Sequence, residues 1–313
     1  MPSDVMVFAP APQLTVTIEQ TADAPELHVH PGGQGIWQAR MISSLGASVT
    51  VCACLGGEVG AVLEPLIPAE GVHLRSVPRD LSNGWYVHDR RDGDRAEIAS
   101  SPGQPLERHD LDELYGLALA EGLGSRISVL SGPAEPTVVP ADMYRRLAAD
   151  LGTNGAHVVA DLSGDYLTAV LEGGVHVLKV SHEELIEDGL AEGDDVDEVV
   201  AAVHRLHDDG AGSVVVTRAE RPSIALLDGD VVEVAAPPLQ AADPKGAGDS
   251  MTAGVAAVLA RGGNLTDAVR TGAAAGAHNV TRHGLGSGRA EAIAALVPRV
   301  RIEPLETAGG GRA

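Results

Sequence analysis

Ala242-Asp243-Pro244-Lys245-Gly246-Ala247-Gly248-Asp249-Ser250-Met251-Thr252-Ala253-Gly254 is the stretch on which the reading of this chain turns. Its centre, Gly246 to Asp249, opens a helix of small residues. Glycines tolerate positive φ and let backbone approach a ligand, while the first N–H groups of the helix lack intrahelical partners. Such an end attracts anions, phosphate above all. A carboxylate at Asp249 is repelled by bound phosphate unless its task is to take a proton from an attacking hydroxyl. The combination points to phosphoryl transfer, with N–H donors for the charge on the transferred group and one base for the nucleophile. Taken alone, the stretch fits a glycine-softened turn with Asp249 as N-cap equally well.

Two further motifs weigh against that bland alternative. Pro31-Gly32-Gly33-Gln34-Gly35 precedes a helix containing Arg40-Met41-Ile42-Ser43-Ser44-Leu45-Gly46 and then a strand, and Leu178-Lys179-Val180-Ser181-His182-Glu183-Glu184-Leu185 lies midway along the chain. In this order, with Gly246-Ala247-Gly248-Asp249, they resemble the signatures of the phosphofructokinase-B (ribokinase-like) family of carbohydrate kinases. The last is similar to a segment of the branch containing 1-phosphofructokinase and tagatose-6-phosphate kinase. The resemblance spans nearly the whole chain.

It implies an α/β fold, a doubly wound, mainly parallel sheet with helices on both faces and a small β-sheet lid, in one domain over residues 1–306. It also implies ATP and Mg2+ as cofactors. Asp249 is then the catalytic base, with Gly246, Ala247 and Gly248 as the anion hole. Lys179, Ser181, Thr217, Arg218, Lys245 and Asn279 fall on the nucleotide side, and Glu184 at the position associated with Mg2+ and its waters. Gln13, Gly32, Gly33, Gln34 and Trp37 fall on the acceptor side. The expected partner is a small sugar or sugar phosphate, and in several relatives the lids also pair two subunits into a homodimer.

Composition narrows the field independently. A net charge of −22 opposes extended contact with nucleic acid or an anionic membrane. With no apolar run long enough to span a bilayer and no charged-then-apolar leader, a cytoplasmic protein is expected. Of 22 basic residues only Lys179 and Lys245 are lysines, and both lie inside the motifs. Cys52 and Cys54 share one face of an apolar strand and read as a buried, reduced pair. His28 and His30 also share a strand face, but no third metal ligand accompanies them. A P-loop and a dinucleotide fingerprint are both excluded, because neither lysine follows the required glycine and the third glycine is missing after Gly246-x-Gly248 and Gly33-x-Gly35.

Along the chain, Val5 to Ala9, Leu14 to Ile18 and Glu26 to His30 read as strands, Ile36 to Gly46 as a helix and Ser48 to Leu55 as an apolar strand. A helix is expected from about Gly60 to Glu70. A hairpin over Gly84 to His88 and Arg95 to Ala99 turns at Arg91-Asp92-Gly93-Asp94, and the family resemblance implies that strands from about 10–30 and 82–100 form the lid sheet. Strand and helix alternate from Leu111, a second hairpin turns at Asp228-Gly229-Asp230, and Ala-rich helices run from Asp249 to Arg261 and Leu265 to Val280. This alternation places ligands at the carboxyl ends of the strands. The glycine-rich tail from Thr307 to Ala313 is expected to be disordered.

Several positions depart from the family pattern. Ser181 stands for an Asn, Arg218-Ala219-Glu220-Arg221-Pro222 for a glycine-containing nucleotide loop, Gln13 for an Asp and Gln34 for a Lys. Arg218 is expected to pair with phosphate instead. The lid arginine is missing near Gly84, leaving Arg90, Arg91 or Arg95 as replacements. Trp37 and Trp85 both align with the acceptor pocket, where aromatic faces suit sugar C–H surfaces or a base. Together these changes point to a pocket reshaped for an unusual, less charged hydroxyl compound. A regulatory pseudokinase of the same fold and a nucleoside kinase stay open as alternatives.

Overall fold

The computed structural model describes residues 3–93, 95–282 and 284–305, so the tail from Thr307 to Ala313 lies outside the described residues. The chain opens with β1 (Val5–Phe8), β2 (Gln13–Gln20), β3 (Pro25–Gly32) and α1 (Gln34–Ser44). There follow β4 (Val49–Gly56), α2 (Gly57–Ala69), β5 (His73–Arg79), β6 (Asn83–Asp89) and β7 (Ala96–Gly103). Helix and strand then alternate through α3 (Arg108–Gly124), β8 (Ile127–Ser131), α4 (Ala141–Thr153), β9 (His157–Asp161), α5 (Gly164–Gly173) and β10 (Val175–Ser181). The short α6 (His182–Glu187) and α7 (Val196–Asp208) lead to the meander β11 (Ala211–Arg218), β12 (Arg221–Leu227) and β13 (Asp230–Ala235). The chain closes with α8 (Ala247–Ala260), α9 (Leu265–Asn279), α10 (Ala290–Leu296) and β14 (Arg301–Pro304).

Ten strands form one sheet in the order β14-β13-β12-β11-β10-β9-β8-β1-β4-β5. It is parallel from β5 across to β11 and antiparallel from β11 to β14. β4 is buried at every position because helices cover both faces, which is why its sequence shows no polar alternation. Val5 and Val7 of β1 pack on one side with α1, α2, α8 and α9, while Met6 and Phe8 pack on the other with α3, α4, α5 and α7. This is the doubly wound α/β architecture expected from the sequence. Cys52 and Cys54 are free, buried on the Phe8 side, and burial pushes both thiols up to about 12.

A second sheet, β3-β2-β6-β7, stands beside the first. Its alternation is inverted relative to a surface sheet. Thr15 and Thr17 are buried, while Val16 and Ile18, which alternate with them, are only half-buried and Leu27 and Val29 are exposed. The polar face is therefore the one turned toward the body.

β5 and β14 are not legible in the sequence. Both are edge strands bonded on one side only, β5 carries Pro78 and alternately exposed His73 and Arg75, and their apolar content is correspondingly low. The turn at Asp228-Gly229 takes positive φ at both residues, 52° and 92°, as a tight hairpin requires.

The small residues of α8 and α9 serve close packing. A Cβ built on Gly254 would fall 2.5 Å from the Cα of Gly272. Gly254→Ala is expected to force these helices apart and to lower unfolding free energy by about 1–3 kcal/mol, read from the midpoint of a urea melt.

Candidate active site

The site is assembled at the carboxyl ends of three adjacent parallel strands. Ser131 ends β8, Asp161 ends β9 and Lys179 lies near the end of β10, with Ser131 and Lys179 each in register with Asp161. Such strand ends are where open α/β sheets present their ligands. Against them packs the N-terminus of α8. Gly246 caps it with φ 77°, a left-handed conformation that glycine takes without penalty. The first-turn carboxylate Asp249 is 9% exposed.

One buried cluster joins these parts. The Asp161 carboxylate is fully enclosed and accepts from Lys179 Nζ at 3.1 Å, Thr252 Oγ1 at 2.8 Å and Gln38 Nε2 at 3.0 Å. Gln38 Nε2 also donates to Asp249 Oδ1 at 3.3 Å. A Cβ on Gly248 would come within 2.6 Å of Lys179 Nζ, so only glycine there lets the ammonium lie against the helix end. Two carboxylates thus face one lysine. Burial, and then the like charge of Asp161, push the Asp249 carboxyl up to about 7. Burial also raises Asp161, against the pull of Lys179. For Lys179 burial opposes the charge, but Asp161, Glu184 and Asp249 outweigh it and hold the pKa above the usual value. A base that titrates near neutrality beside a cation and unpaired helix N–H groups is equipped to deprotonate a hydroxyl and hold an anion.

The other expected nucleotide-side residues fall around this cluster with varied roles. Lys245 is exposed, while its backbone is held from both sides. Its N–H donates to Asp243 Oδ1 at 3.1 Å and its carbonyl accepts from Asn279 Nδ2 at 2.7 Å. Asn279 therefore braces the turn before α8, and its buried Oδ1 has no partner among the described residues. Thr217 is half-buried and in register with Ser181. Ser181 caps α6 in a reciprocal box, its N–H and Oγ both reaching Glu184 Oε2 at 2.7 and 2.8 Å. That leaves Glu184 Oε1 outside the capping box. Mg2+ typically uses one or two carboxylates together with substrate phosphates, so this donor set fits it.

Arg218 corrects an expectation. It is 4% exposed, and its guanidinium donates to the carbonyls of Asp194 at 2.5 Å and Pro222 at 3.4 Å, not to open space where phosphate could reach it. The adjoining turn keeps its tight geometry without glycine because Ala219 takes φ 47°.

On the acceptor side, Gly33 caps α1 at φ 102° and its carbonyl accepts from Ile36 and Trp37. Gly32 pairs with Gln13 across β3 and β2, where a Cβ would press on Thr15. Gln34 accepts from the Gly132 N–H at 3.0 Å. None of these four lines the cavity of about 250 Å³ between the second sheet and the body, but Trp37 does, with Arg40, Tyr86, His88, Arg90 and Arg95. Trp85 is not among the lining residues. It alternates with Tyr86 on β6 and takes the other face, which corrects the expectation that both tryptophans serve the pocket. Arg91 is paired with Asp89 instead of lining the cavity. Asp249 is one step away from the cavity: Trp37 adjoins Gln38, and Leu285 both lines the cavity and approaches Gly246. No group of three or more His, Cys, Asp or Glu side chains suited to a metal occurs among the described residues.

Asp161, Gln38, Thr252 and Ser131 escaped the sequence reading. Two signals were available: an acid ending the apolar run Val158-Val159-Ala160, and a glutamine on the same helical face as Met41 and Ile42.

Comparison with known proteins places this geometry in a family. The model of the pfkB family carbohydrate kinases matches residues 6–292. This chain belongs to that family and is a carbohydrate kinase. It is 33% identical over 254 residues to the ATP-dependent 6-phosphofructokinase isozyme 2 of Mycobacterium tuberculosis, covering 79% of this chain and 73% of the relative. With the 1-phosphofructokinase of Bacillus subtilis it shares 26% identity over 279 residues, 88% of this chain and 89% of the relative. The solved phosphofructokinase-2 of Escherichia coli in complex with fructose-6-phosphate superposes with a TM-score of 0.80 at 26% identity, covering 96% of this chain and 99% of that one. Arabidopsis thaliana ribokinase complexed with ribose and ATP, at 20% identity and a TM-score of 0.72 over 95% and 99% of the two chains, shares the fold. Among the described residues no helix is long and apolar enough to cross a membrane.

Because the Asp249 pKa is raised in the folded protein, its stabilising effect is present below the ordinary carboxylate value and is lost as pH rises through about 7. Asp249→Asn, which removes that charge, is expected to raise the melting temperature above neutrality by roughly 2–4 °C for each kcal/mol of repulsion relieved. The gain should vanish in acid, as calorimetry across pH would show.

Proposed function

We propose that the chain transfers the γ-phosphoryl group of ATP to a hydroxyl of a sugar phosphate held between the second sheet, acting as a lid, and the body. The observation that carries this is the juxtaposition of Asp249, the Gly246–Gly248 helix end and the Lys179 ammonium at one strand edge. Asp249 takes the proton of the acceptor hydroxyl as its oxygen bonds to the γ-phosphorus and the bond from that phosphorus to the β-phosphate bridging oxygen breaks, leaving ADP. The amides of Ala247 and Gly248 meet the charge on the transferred group. Lys179, held by Asp161, contributes a fixed positive potential at the helix end, and the exposed Lys245 reaches for phosphate. Mg2+ bound with ATP through Glu184 would neutralise phosphate charge.

The arginines support an anionic acceptor over the less charged compound read from the sequence. Arg40, Arg90 and Arg95 line the cavity, with Glu19 the one acid among its lining residues, while burial holds His30 and His88 below the usual imidazole range, so that they face it as neutral hydrogen-bonding groups. Arg40 is held in place by Glu70 at 2.7 and 2.9 Å and by the Leu285 carbonyl. Arg95 is held by the Tyr86 hydroxyl at 2.9 Å. Arg90, from the lid, reaches Asp243 of the anion-hole loop at 3.4 Å, a contact that closes the lid over the body and helps exclude water as a competing acceptor.

The lid's outer face, with Val16, Ile18, Leu27 and Val29 half-buried or exposed, supports pairing with a second copy of the chain. Leu27→Asp is expected to shift the protein toward monomer in analytical ultracentrifugation; an unchanged sedimentation coefficient contradicts the pairing.

The deciding experiment measures ADP release from ATP and Mg2+ over hexoses, pentoses, hexose phosphates and nucleosides. Turnover is expected with a sugar phosphate, rising with pH through about 7 as Asp249 ionises. Asp249→Ala is expected to lower kcat by about 10²–10⁴-fold while ATP still binds. Turnover near wild type in that variant refutes the assignment of the base. Saturable turnover of a nucleoside, or none with any acceptor, refutes the substrate assignment.

A further inference from the structure

Gln38 has no place in the roles assigned so far. It is fully buried on α1, immediately after the cavity residue Trp37. Its amide is held at both ends: Oε1 accepts from Ser131 Oγ, and Nε2 donates to Asp161 Oδ2 at 3.0 Å and Asp249 Oδ1 at 3.3 Å. Two carboxylate oxygens on the nitrogen side and a hydroxyl on the oxygen side fix which way the amide faces. Ser131 is itself anchored in β8, where its carbonyl accepts from Tyr144 at 2.8 Å.

Among the described residues, Gln38 is the one side chain that hydrogen-bonds to Asp249. A carboxylate bonded through one oxygen has its rotation set and its second oxygen left over. We propose that Gln38 is a positioning residue for the base: by tying Asp249 Oδ1 to Asp161 through one amide nitrogen, it turns Oδ2 toward the acceptor hydroxyl. Because Gln38 and Trp37 are consecutive on one rigid helix, the element that lines the acceptor cavity also aims the base at it. This inference rests on the kinase reading above and names the residue that makes its geometry productive.

The amide also favours the ionised form of Asp249, against the burial and the like charge of Asp161 that oppose it. The charged groups acting on Asp249 are Asp161 from β9, Lys179 from β10 and Glu184 from α6. Replacing Gln38 leaves Lys179 and Glu184 as they are but also takes a donor from Asp161, so the carboxyl titrations of Asp161 and Asp249 are followed together and a shift at Asp249 is read against that at Asp161.

Gln38→Met keeps length and volume and removes the amide. It is expected to lower kcat by roughly 10–10²-fold, the scale of a small misplacement of a reacting group, with the KM for ATP within about twofold of wild type. The acid limb of kcat/KM should move to higher pH, because loss of a donor to the carboxylate raises its pKa. The same upward shift should appear in the ¹³C carboxyl titration of Asp249 by NMR, which needs no turnover. Ser131→Ala keeps the amide but frees its orientation, and should reproduce a weaker form of both effects; it also serves if Gln38→Met fails to fold. A folded Gln38→Met protein with wild-type kcat and an unmoved Asp249 titration overturns the proposal. So does a fall in kcat without a shift in either pH measurement, because that is what a merely structural residue would give. If wild type turns over no acceptor while the NMR titration still moves, the kinase reading fails and the link between Gln38 and Asp249 stands.

Discussion

The buried contact between Asp161 and Lys179 is the constraint on which the rest of the site depends. An isolated charge in either position would be costly inside a protein, and the pair is tolerable because Asp161 also accepts from Thr252 and Gln38. Once Asp161 is fixed as the partner of Lys179, a second carboxylate placed nearby at the start of α8 lacks a full counter-charge. Asp249 is that second carboxylate. Its raised pKa follows from the arrangement, as does its suitability as a base near neutral pH.

Backbone geometry serves the same cluster. Gly246 supplies the left-handed residue that turns the chain into α8, and Gly248 removes the Cβ that would collide with Lys179. Gly254 lets α8 lie against α9, which in turn carries Asn279 to the carbonyl of Lys245. The position of the amides at the start of α8 is thus set by the packing of that helix against α9. On the other side α1 runs from the glycine cap at Gly33, past Trp37 in the cavity, to Gln38 in the cluster. The cavity and the Asp161–Asp249 cluster are built on shared elements.

Much of the fold was legible because its strands and helices carry strong local signals. The apolar run of β4, the alternation of β2 and β3, the tight turn at Asp228-Gly229 and the Ala-rich α8 and α9 all follow from composition within a short window. β5 and β14 were not legible, since an edge strand is bonded on one side and can carry Pro78 or exposed charge without penalty. At the site, Gly246 to Asp249, Lys179 and Lys245 stood out through glycine spacing and the scarcity of lysine. Arg218 was misread because its charge suggested phosphate, whereas the fold turns it onto two carbonyls.

What the sequence determined by itself is the chemistry available: a helix end whose free N–H groups suit an anion, a carboxylate within its first turn, two lysines inside motifs, and alternating strands and helices that must bury their apolar faces in a doubly wound sheet. Only the tertiary structure decided which of those groups meet. Asp161 and Asp249 lie 88 positions apart and Gln38 is further still from either, yet a single amide bonds both acids. The inverted faces of the second sheet, which direct Tyr86 and His88 inward and Trp85 away, were likewise decided by where that sheet sits. The physical reason is common to both. Periodicity records which residues share a face of one element, whereas charge coupling and cavity lining depend on distances between elements, which packing alone sets.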